Sequence, residues 1–290
     1  MNLRAEAFVI FAALIFSTMG LMTRDLNKEL GVITQVSFRL TIACLIFFFV
    51  FGAKGMDFLK VSKKQLGKLF IAGFFGYGLM VIFIALSFIN TSYANASTFL
   101  QITPIFVLVL SWLFLHEKIT AKIVFSTFLA IIGAMIIFKP DLSMLDLGIS
   151  FALLSAILNS VYVILIRDLR NVDIKSRLFY FSLFGGVLFL PFAFIYEKIY
   201  LFSMKMWIIL FIMALGNVAA YYLLNLGAMA LEANIVGILG VSQAVFGIMI
   251  SYLIGEKFPG IGLVGAFLIL LSIIVININK VRFNVWNSRN

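Results

Sequence analysis

Charged, thiol and imidazole groups are all scarce in this sequence of 290 residues. Only 12% of the residues are charged, and the chain contains one cysteine, Cys44, and one histidine, His116. A single cysteine excludes an intramolecular disulfide framework, and this pair alone cannot supply the several nitrogen and sulfur ligands of a zinc site. We therefore expect neither a structural metal nor a cofactor.

Apolar residues, by contrast, are present in large excess. They make up 63% of the chain, and the mean hydropathy is +1.15, whereas a soluble domain is about 45–50% apolar. Runs of about 20 apolar residues match the thickness of a bilayer core. They predict an all-α membrane protein with ten transmembrane helices, the first read as an uncleaved helix rather than a signal peptide. The predicted spans lie near 7–23, 32–51, 67–88, 93–115, 119–138, 146–166, 177–196, 206–229, 233–254 and 259–279.

The net charge of +10 is explained by cationic loops and does not require a nucleic-acid partner. No segment outside the spans is long enough to form a nucleic-acid-binding domain. Fifteen loop Lys and Arg residues fall on the side of the N-terminus and six on the other side. Because cationic loops stay in the cytoplasm, this bias predicts a multi-pass protein of the cytoplasmic membrane with both termini cytoplasmic.

Several short sequences occur twice, about 139 residues apart. Glu117-Lys118 and Glu256-Lys257 follow the fourth and ninth spans, and Ala94-Asn95 recurs as Ala233-Asn234. An Arg-Asp-Leu sequence follows the first and the sixth spans, and Gly133 and Ser272 take similar places in spans five and ten. Since five spans are an odd number, the second copy enters the membrane from the opposite side. We therefore predict inverted five-helix repeats, typical of secondary transporters, with Glu117 inside and Glu256 outside.

The order of these motifs resembles a known family. "SFRLTIA" (37–43), "SYANASTFLQITPIF" (92–106), "LHEKI…AIIGAMIIF" (115–138) and "IGEKFPGIGLVGAFLILLS" (254–272) are similar to the ten-helix, EamA-type members of the drug/metabolite transporter superfamily. The resemblance implies two EamA-like repeats, 1–140 and 141–290, and favours export. Two residues depart from the pattern: His116 stands where Gly is usual, and Gln243 where Pro is frequent. The second departure predicts that the ninth span lacks the kink that Pro104 introduces into the fourth.

Polar side chains within spans are costly unless they face protein or a water-filled cavity. On four spans they recur at helical spacing and therefore share a face. They either line a substrate cavity or join helices by hydrogen bonds; the stripe on span eight is the strongest candidate for a cavity wall. The candidate substrate-binding residues are Asn217, Tyr221 and Asn225 on span eight, Tyr93, Ser97 and Gln101 on span four, Asn159 and Tyr162 on span six, and Gln243 on span nine.

Three further residues are candidates for gating or coupling. Pro104 kinks a helix, although tight packing is the alternative role. Arg39 lies two turns into the second span, where it either binds an anionic group or snorkels and pairs structurally. Glu232, before the ninth span, is either a proton carrier or a carboxylate favoured by the helix dipole. Glu117 is expected to cap or anchor the helix that it precedes.

These features favour a secondary transporter that moves a small metabolite, such as an amino acid or a related amphipathic solute, by alternating access. No acidic residue falls at the centre of a span, which favours exchange or uniport over proton coupling and disfavours an intramembrane enzyme. The alternatives are a nucleotide-sugar or drug carrier of the same fold, a channel, or an enzyme. The expected partners are the solute and the lipid bilayer, and no motif indicates an oligomeric state.

Overall fold

The structure is a computed structural model that describes residues 3–27, 29–53, 55–141, 146–197, 203–253 and 260–287. Within these ranges the chain is helical, with short connections. The α-helices are α1 (Leu3–Leu26), α2 (Val32–Gly52), α3 (Lys63–Gly73), α4 (Met80–Asn90), α5 (Tyr93–Leu100), α6 (Thr103–Leu115), α7 (Ala121–Phe138), α8 (Leu147–Asp168), α9 (Ile174–Gly185), α10 (Leu190–Tyr196), α11 (Met204–Ala230), α12 (Ala233–Gly240), α13 (Ser242–Leu253) and α14 (Ile261–Asn287).

The ten predicted spans are confirmed as ten helical segments. In the described part of the chain, nine are long and apolar enough to cross a membrane, and a shorter apolar stretch of α14, Ile261–Asn277, is the tenth. Four spans each comprise two α-helices: α3 and α4, joined by a π-helical turn at Phe74–Leu79; α5 and α6; α9 and α10; and α12 and α13. Large apolar side chains face outward, including Phe49 (68% exposed), Phe114 (69%) and Leu263 (68%). Such a surface suits contact with lipid.

Polar residues fix where the helices start and stop. Hydroxyl or carboxylate groups cap the first turns, which otherwise have unpaired N–H groups. At two helix ends the backbone turns left-handed: His116 after α6 has φ 55°, and Lys139 after α7 has φ 47°. Glycine is favoured at such positions because it has no Cβ, so both side chains stand where glycine would be less strained. The capping residues are Ser62, Ser92, Thr120, Asp146, Asp173 and Ser203.

The prediction that the ninth span lacks a break was wrong. Span four breaks between α5 and α6, where Ile105 N donates to Ile102 O at 2.9 Å. Span nine breaks 139 residues later, where Ala244 N donates to Val241 O, also at 2.9 Å.

A hydroxyl, rather than proline, is common to the two breaks. Thr103 Oγ1 donates to Leu100 O at 2.8 Å, and Ser242 Oγ donates to Leu239 O at 2.6 Å. Side-chain bonds of this kind compete with the helical ladder and bend helices.

Equivalent helices of the two halves run antiparallel where they touch. The start of α2 contacts Glu197, its middle contacts Gly186, and Phe48 near its end contacts Phe179. Residue numbers therefore rise along α2 while they fall along the span formed by α9 and α10. Helices α7 and α14 cross likewise, with Gly133 against the Gly265 carbonyl and Ile137 against Gly265. The fold is therefore two inverted five-helix repeats.

The first span of each half packs on the third span of the other half. Helix α1 packs on α11, and α8, its counterpart, packs on the span formed by α3 and α4. We call the end of the bundle where α1 begins the Glu117 end, because Glu117 follows α6 there. The opposite end is the Glu197 end, after α10. The predicted Glu256 lies outside the described residues.

One loop cation of the sequence analysis is misplaced. The fifteen cations on the side of the N-terminus include Arg177, which was taken as the last residue of the loop before span seven. It lies inside α9 and is fully buried. Without it the bias of loop cations falls from fifteen to fourteen against six, so the predicted orientation is unaffected.

Candidate functional site

A cavity of about 190 Å³ lies between the two halves. We call it the central cavity; α1, α2, α4, α5, α8, α11, α12 and α13 all contribute to its wall. Aromatic rings pack in pairs along it: Phe16 meets Tyr221 edge-on at 4.9 Å between centroids, and Phe88 stacks on Tyr93 at 5.1 Å. For scale, an engineered apolar cavity of about 150 Å³ binds benzene. The central cavity therefore has room for a small metabolite.

The polar stripe predicted on the fourth span lies entirely on the cavity wall. Tyr93, Ser97, Gln101 and Pro104 all line it. The break between α5 and α6 falls within this stripe, at Gln101. The stripe therefore places a phenol, a hydroxyl and an amide on one wall.

The stripe on α11 is divided. Asn217 and Tyr221 line the cavity, and the Asn217 Nδ2 group is buried without a hydrogen-bond partner among the described residues. Asn225 does not line it; its Nδ2 group donates to Tyr162 Oη at 3.0 Å and to the Tyr221 carbonyl at 2.9 Å. Four residues rotate a helix face by about 40°, so two such steps turn Asn225 away from the side of Asn217.

Of the three predicted residues on α8 and α13, two line the central cavity and one does not. Asn159 and Gln243 line the cavity. Tyr162 is fully buried beyond it, where the ring contacts Tyr77, Phe181 and Tyr221. The structure therefore brings Asn159 and Gln243 to the cavity and leaves Tyr162 and Asn225 behind its wall.

Arg39 is the one charged residue among the described residues that line the cavity. It is 3% exposed and does not snorkel; Nη1 donates to Thr23 Oγ1 at 3.2 Å and lies 3.9 Å from Met213 Sδ. Within the described part of the chain the Nε group has no hydrogen-bond partner, and no carboxylate pairs with this guanidinium. A buried cation without an anion is costly, so this wall of the cavity favours an anionic ligand group.

Glu232 does not line the cavity. It occupies the N-cap position of α12, is exposed, and makes no capping hydrogen bond with its side chain. The carboxylate of Glu117 takes that role, accepting from Ala233 N at 2.9 Å, Asn234 N at 3.4 Å and Asn234 Nδ2 at 3.0 Å. The expectation that Glu117 caps the helix it precedes was wrong, because Thr120 caps α7.

The Glu117 carboxyl therefore joins the two halves at one end of the bundle. Burial raises the pKa of Glu117, and the hydrogen bonds from Ala233 and Asn234 offset part of that rise. At the other end, Glu197 accepts from Ile33 N at 2.9 Å and Thr34 N at 2.8 Å and so caps α2 from the second half.

Two residues were missed by the sequence analysis. Tyr77 packs on Tyr221 with 4.2 Å between ring centroids, directly behind the cavity wall. Glu6 was placed before the first span but is buried in α1 (6% exposed), where Asn277 Nδ2 donates to it at 3.3 Å. Glu6 could have been found by its position in the first turn of an apolar helix, whereas Tyr77 carries no polar neighbour in sequence that would single it out.

Comparison with known proteins agrees with the fold and the repeat. The model of the EamA-like transporter family matches residues 3–139 and again residues 146–278. An uncharacterized transporter of Helicobacter pylori is 24% identical over 276 residues, covering 92% of each chain. An uncharacterized transporter of Archaeoglobus fulgidus is 32% identical over 103 residues, which span 36% of this chain and 37% of that protein.

Two further matches concern a named relative and a solved structure. The pseudopaline exporter CntI of Pseudomonas aeruginosa is 27% identical over 162 residues, 55% of each chain. A crystal structure aligns over 98% of this chain and 99% of its own with a TM-score of 0.81 at 18% identity, which shows a shared fold. With two family matches that together cover most of its length, the chain belongs to the EamA-like transporter family.

Proposed function

We propose that the protein exports a small, amphipathic metabolite that carries a carboxylate, such as an amino acid or a related solute, by alternating access around the central cavity. The observation that carries this proposal is Arg39, a buried cation on the cavity wall without an anionic partner among the described residues. A guanidinium binds a carboxylate through two parallel hydrogen bonds.

The rest of the wall suits the remainder of such a solute. Asn217, Gln101 and Asn159 offer amide groups, and the rings of Phe16 and Tyr221 offer an apolar surface. A nucleotide sugar carries two phosphates and calls for several cations, whereas Arg39 is the single charged residue among the described lining residues. The composition of the cavity therefore favours an amino acid over a nucleotide sugar.

The loop charges support the orientation of the protein in the membrane, and a relative supports the direction of transport. With the Glu117 end in the cytoplasm, as the excess of loop cations there favours, the central cavity extends towards the outside, where Tyr93 and Phe138 lie. A relative named as an exporter supports outward transport. No described acid lines the cavity, which favours exchange or uniport over proton coupling.

The test is transport by purified protein in liposomes. We expect a mixture of radiolabelled L-amino acids to be exchanged by the wild type, and the same amino acids as amides, which lack the carboxylate, to be rejected. Arg39→Gln should lower exchange at least about tenfold, the effect of losing one charge-assisted pair, and Arg39→Lys should retain part of it.

The matched control is Arg170→Gln, which makes the same change of charge in an exposed loop. It should exchange amino acids at the wild-type rate. Equal transport of acids and amides, or full exchange by Arg39→Gln, would refute the proposed substrate class. Asn217→Ala should weaken exchange more than Asn225→Ala, because only Asn217 faces the cavity.

A further inference from the structure

A second buried arginine lies nearer the Glu117 end of the bundle. Arg177 is fully buried one turn into α9, where its Nη1 group donates to the Ile166 carbonyl at 3.1 Å. Among the described residues its Nε and Nη2 groups have no hydrogen-bond partner, and no acid there forms an ion pair with it. Buried polar groups are normally hydrogen-bonded, and a buried unpaired charge is costly. Helix packing alone therefore does not account for a buried arginine with two unpartnered donor groups.

Arg177 is the counterpart of Arg39 in the inverted repeat. Both are followed by leucine, both lie on the second span of their half, and they are 138 residues apart. Each donates its Nη1 hydrogen bond to the residue directly before an Arg-Asp-Leu sequence, Thr23 for Arg39 and Ile166 for Arg177. The position in the sequence and the hydrogen bond therefore both pair Arg177 with Arg39.

Three tyrosines separate the two arginines. Ring centroids of Tyr77 and Tyr221 are 4.2 Å apart, those of Tyr77 and Tyr162 are 6.1 Å apart, and those of Tyr162 and Tyr221 are 5.6 Å apart. We call the three rings the tyrosine cluster. Arg39 and Tyr221 line the central cavity, whereas Tyr77 and Tyr162 pack on Tyr221 behind that wall.

Arg177 contacts Ile166, one turn beyond Tyr162 on α8. Phe181, one turn beyond Arg177 on α9, packs on Tyr162 with 5.4 Å between ring centroids. The Asp173 carboxylate, at the N-cap of α9, favours the charged form of Arg177.

Beyond the cluster lie the two predicted site residues that the cavity leaves out. Tyr162 Oη accepts from Asn225 Nδ2 at 3.0 Å, and Asn225 Oδ1 is buried without a hydrogen-bond partner in the described ranges. Together with Arg177 they form the same combination of guanidinium, phenol and amide that Arg39, Tyr221 and Asn217 present to the cavity.

We propose that Arg177, Tyr162 and Asn225 form a second carboxylate half-site, which is buried in this conformation and opens at the Glu117 end when the two halves exchange conformations. In an inverted repeat the opposite state gives each half the arrangement of the other, and this relation pairs Arg177 with Arg39. Tyr162 and Asn225 are included because they lie beside Arg177 and are bonded to each other, and not because the repeat pairs them with Tyr221 and Asn217. The substrate carboxylate then passes from Arg39 to Arg177 as the tyrosine cluster rearranges. This inference rests on the proposed function and adds the inward-facing half of the substrate path.

The test uses a thiol reporter and needs no identified substrate. Ser182 is buried in α9, about two turns from its start, and its Oγ group has no hydrogen-bond partner among the residues that the structure describes. The reporter is Ser182→Cys in a Cys44→Ala background, which removes the one native thiol. Two membrane-impermeant methanethiosulfonates of similar size, one bearing a sulfonate and one a trimethylammonium group, are applied in turn to each side of sealed vesicles.

From the Glu117 end the sulfonate should label the reporter at least about tenfold faster than the ammonium, because it approaches past the cationic Arg177. Arg177→Gln should abolish this preference, Arg177→Lys should keep it, and Arg170→Gln should leave it unchanged. No labelling from the Glu117 end, or the same charge preference in Arg177→Gln as in the parent, would overturn the proposal.

The labelling experiment tests the second half-site independently of the exchange experiment that tests the proposed function. Full amino-acid exchange by Arg39→Gln would refute the substrate class and leave the labelling result intact. Charge-selective labelling that Arg177 does not control would refute the second half-site and leave the role of Arg39 intact.

Discussion

The hydrogen bonds of Glu117 to the first turn of α12 allow a prediction with a definite magnitude. Glu117→Ala removes an acceptor from Ala233 N, Asn234 N and Asn234 Nδ2, at 2.9, 3.4 and 3.0 Å. Asn234 is 2% exposed, so its amide loses a partner that water cannot readily replace; the Oδ1 group keeps its bond from Ser111 at 3.0 Å.

Loss of a helix cap costs about 0.5–2 kcal/mol, and a buried donor left without a partner costs about 1–3 kcal/mol. Glu117 is itself only half-buried, so water recovers part of this energy for the backbone N–H groups. We therefore expect a loss of about 2 kcal/mol. For a chain of this size that corresponds to an unfolding midpoint lower by about 4–8 °C.

The assay is thermal unfolding of the detergent-purified protein at neutral pH, followed by the fluorescence of its tryptophans. Glu232→Ala is the matched control, because it removes a carboxylate from the same helix end that is exposed and makes no capping bond. The control should shift the midpoint by less than half as much. A Glu117→Ala midpoint equal to that of the wild type or of the control would refute the role of Glu117 as a cap.

Three further predictions concern stability. Because burial raises the pKa of Glu117, its contribution to stability is greatest at low pH and is lost as the pH rises through the folded-state pKa. The excess in midpoint of wild type over Glu117→Gln should therefore decline as the pH rises from the ordinary carboxyl pKa of about 4.3 through the raised pKa of the folded protein. Gly265→Ala places a Cβ 2.5 Å from the Gly133 carbonyl oxygen and should cost about 1–3 kcal/mol, whereas Gly67→Ala, with open space around it, should cost nothing; equal midpoints would contradict the close crossing. His116→Gly relieves a left-handed backbone at φ 55° and should raise stability by about 0.5–1 kcal/mol; a lower midpoint would argue against strain there.

The sequence predicted the spans well because their signal is local. An apolar run of about 20 residues carries its own length and composition, and the fourth span ends within one residue of its prediction, at Leu115. The repeat was also visible, since Ala94-Asn95 and Ala233-Asn234 both fall in the first turn of their helices, α5 and α12.

Contacts between distant residues could not be read from local pattern. Glu117 caps a helix 116 residues away, and the sequence offers no sign of which helix lies opposite a loop carboxylate. The break before Ser242 was missed because proline was taken as its cause, whereas the hydroxyls of Thr103 and Ser242 are what the two breaks share.

The candidate site was predicted in part for a geometric reason. Spacing of four residues places side chains on one face only over a short distance, so Asn217 and Tyr221 share the cavity while Asn225 has turned away. Arg177 was assigned to a loop because a cation one turn into an apolar run looks like its edge. Only the packing of α9 shows that it is buried.

The central claim, that the two halves cross the membrane in opposite directions, is tested most directly by labelling equivalent loops. Glu29 and Asn171, both exposed, precede the second span of their own halves. In a Cys44→Ala background, an impermeant maleimide added to intact cells should label Glu29→Cys but should label Asn171→Cys only after the membrane is opened. Labelling of both residues from the same side would contradict the inverted repeat and the transport mechanism built on it.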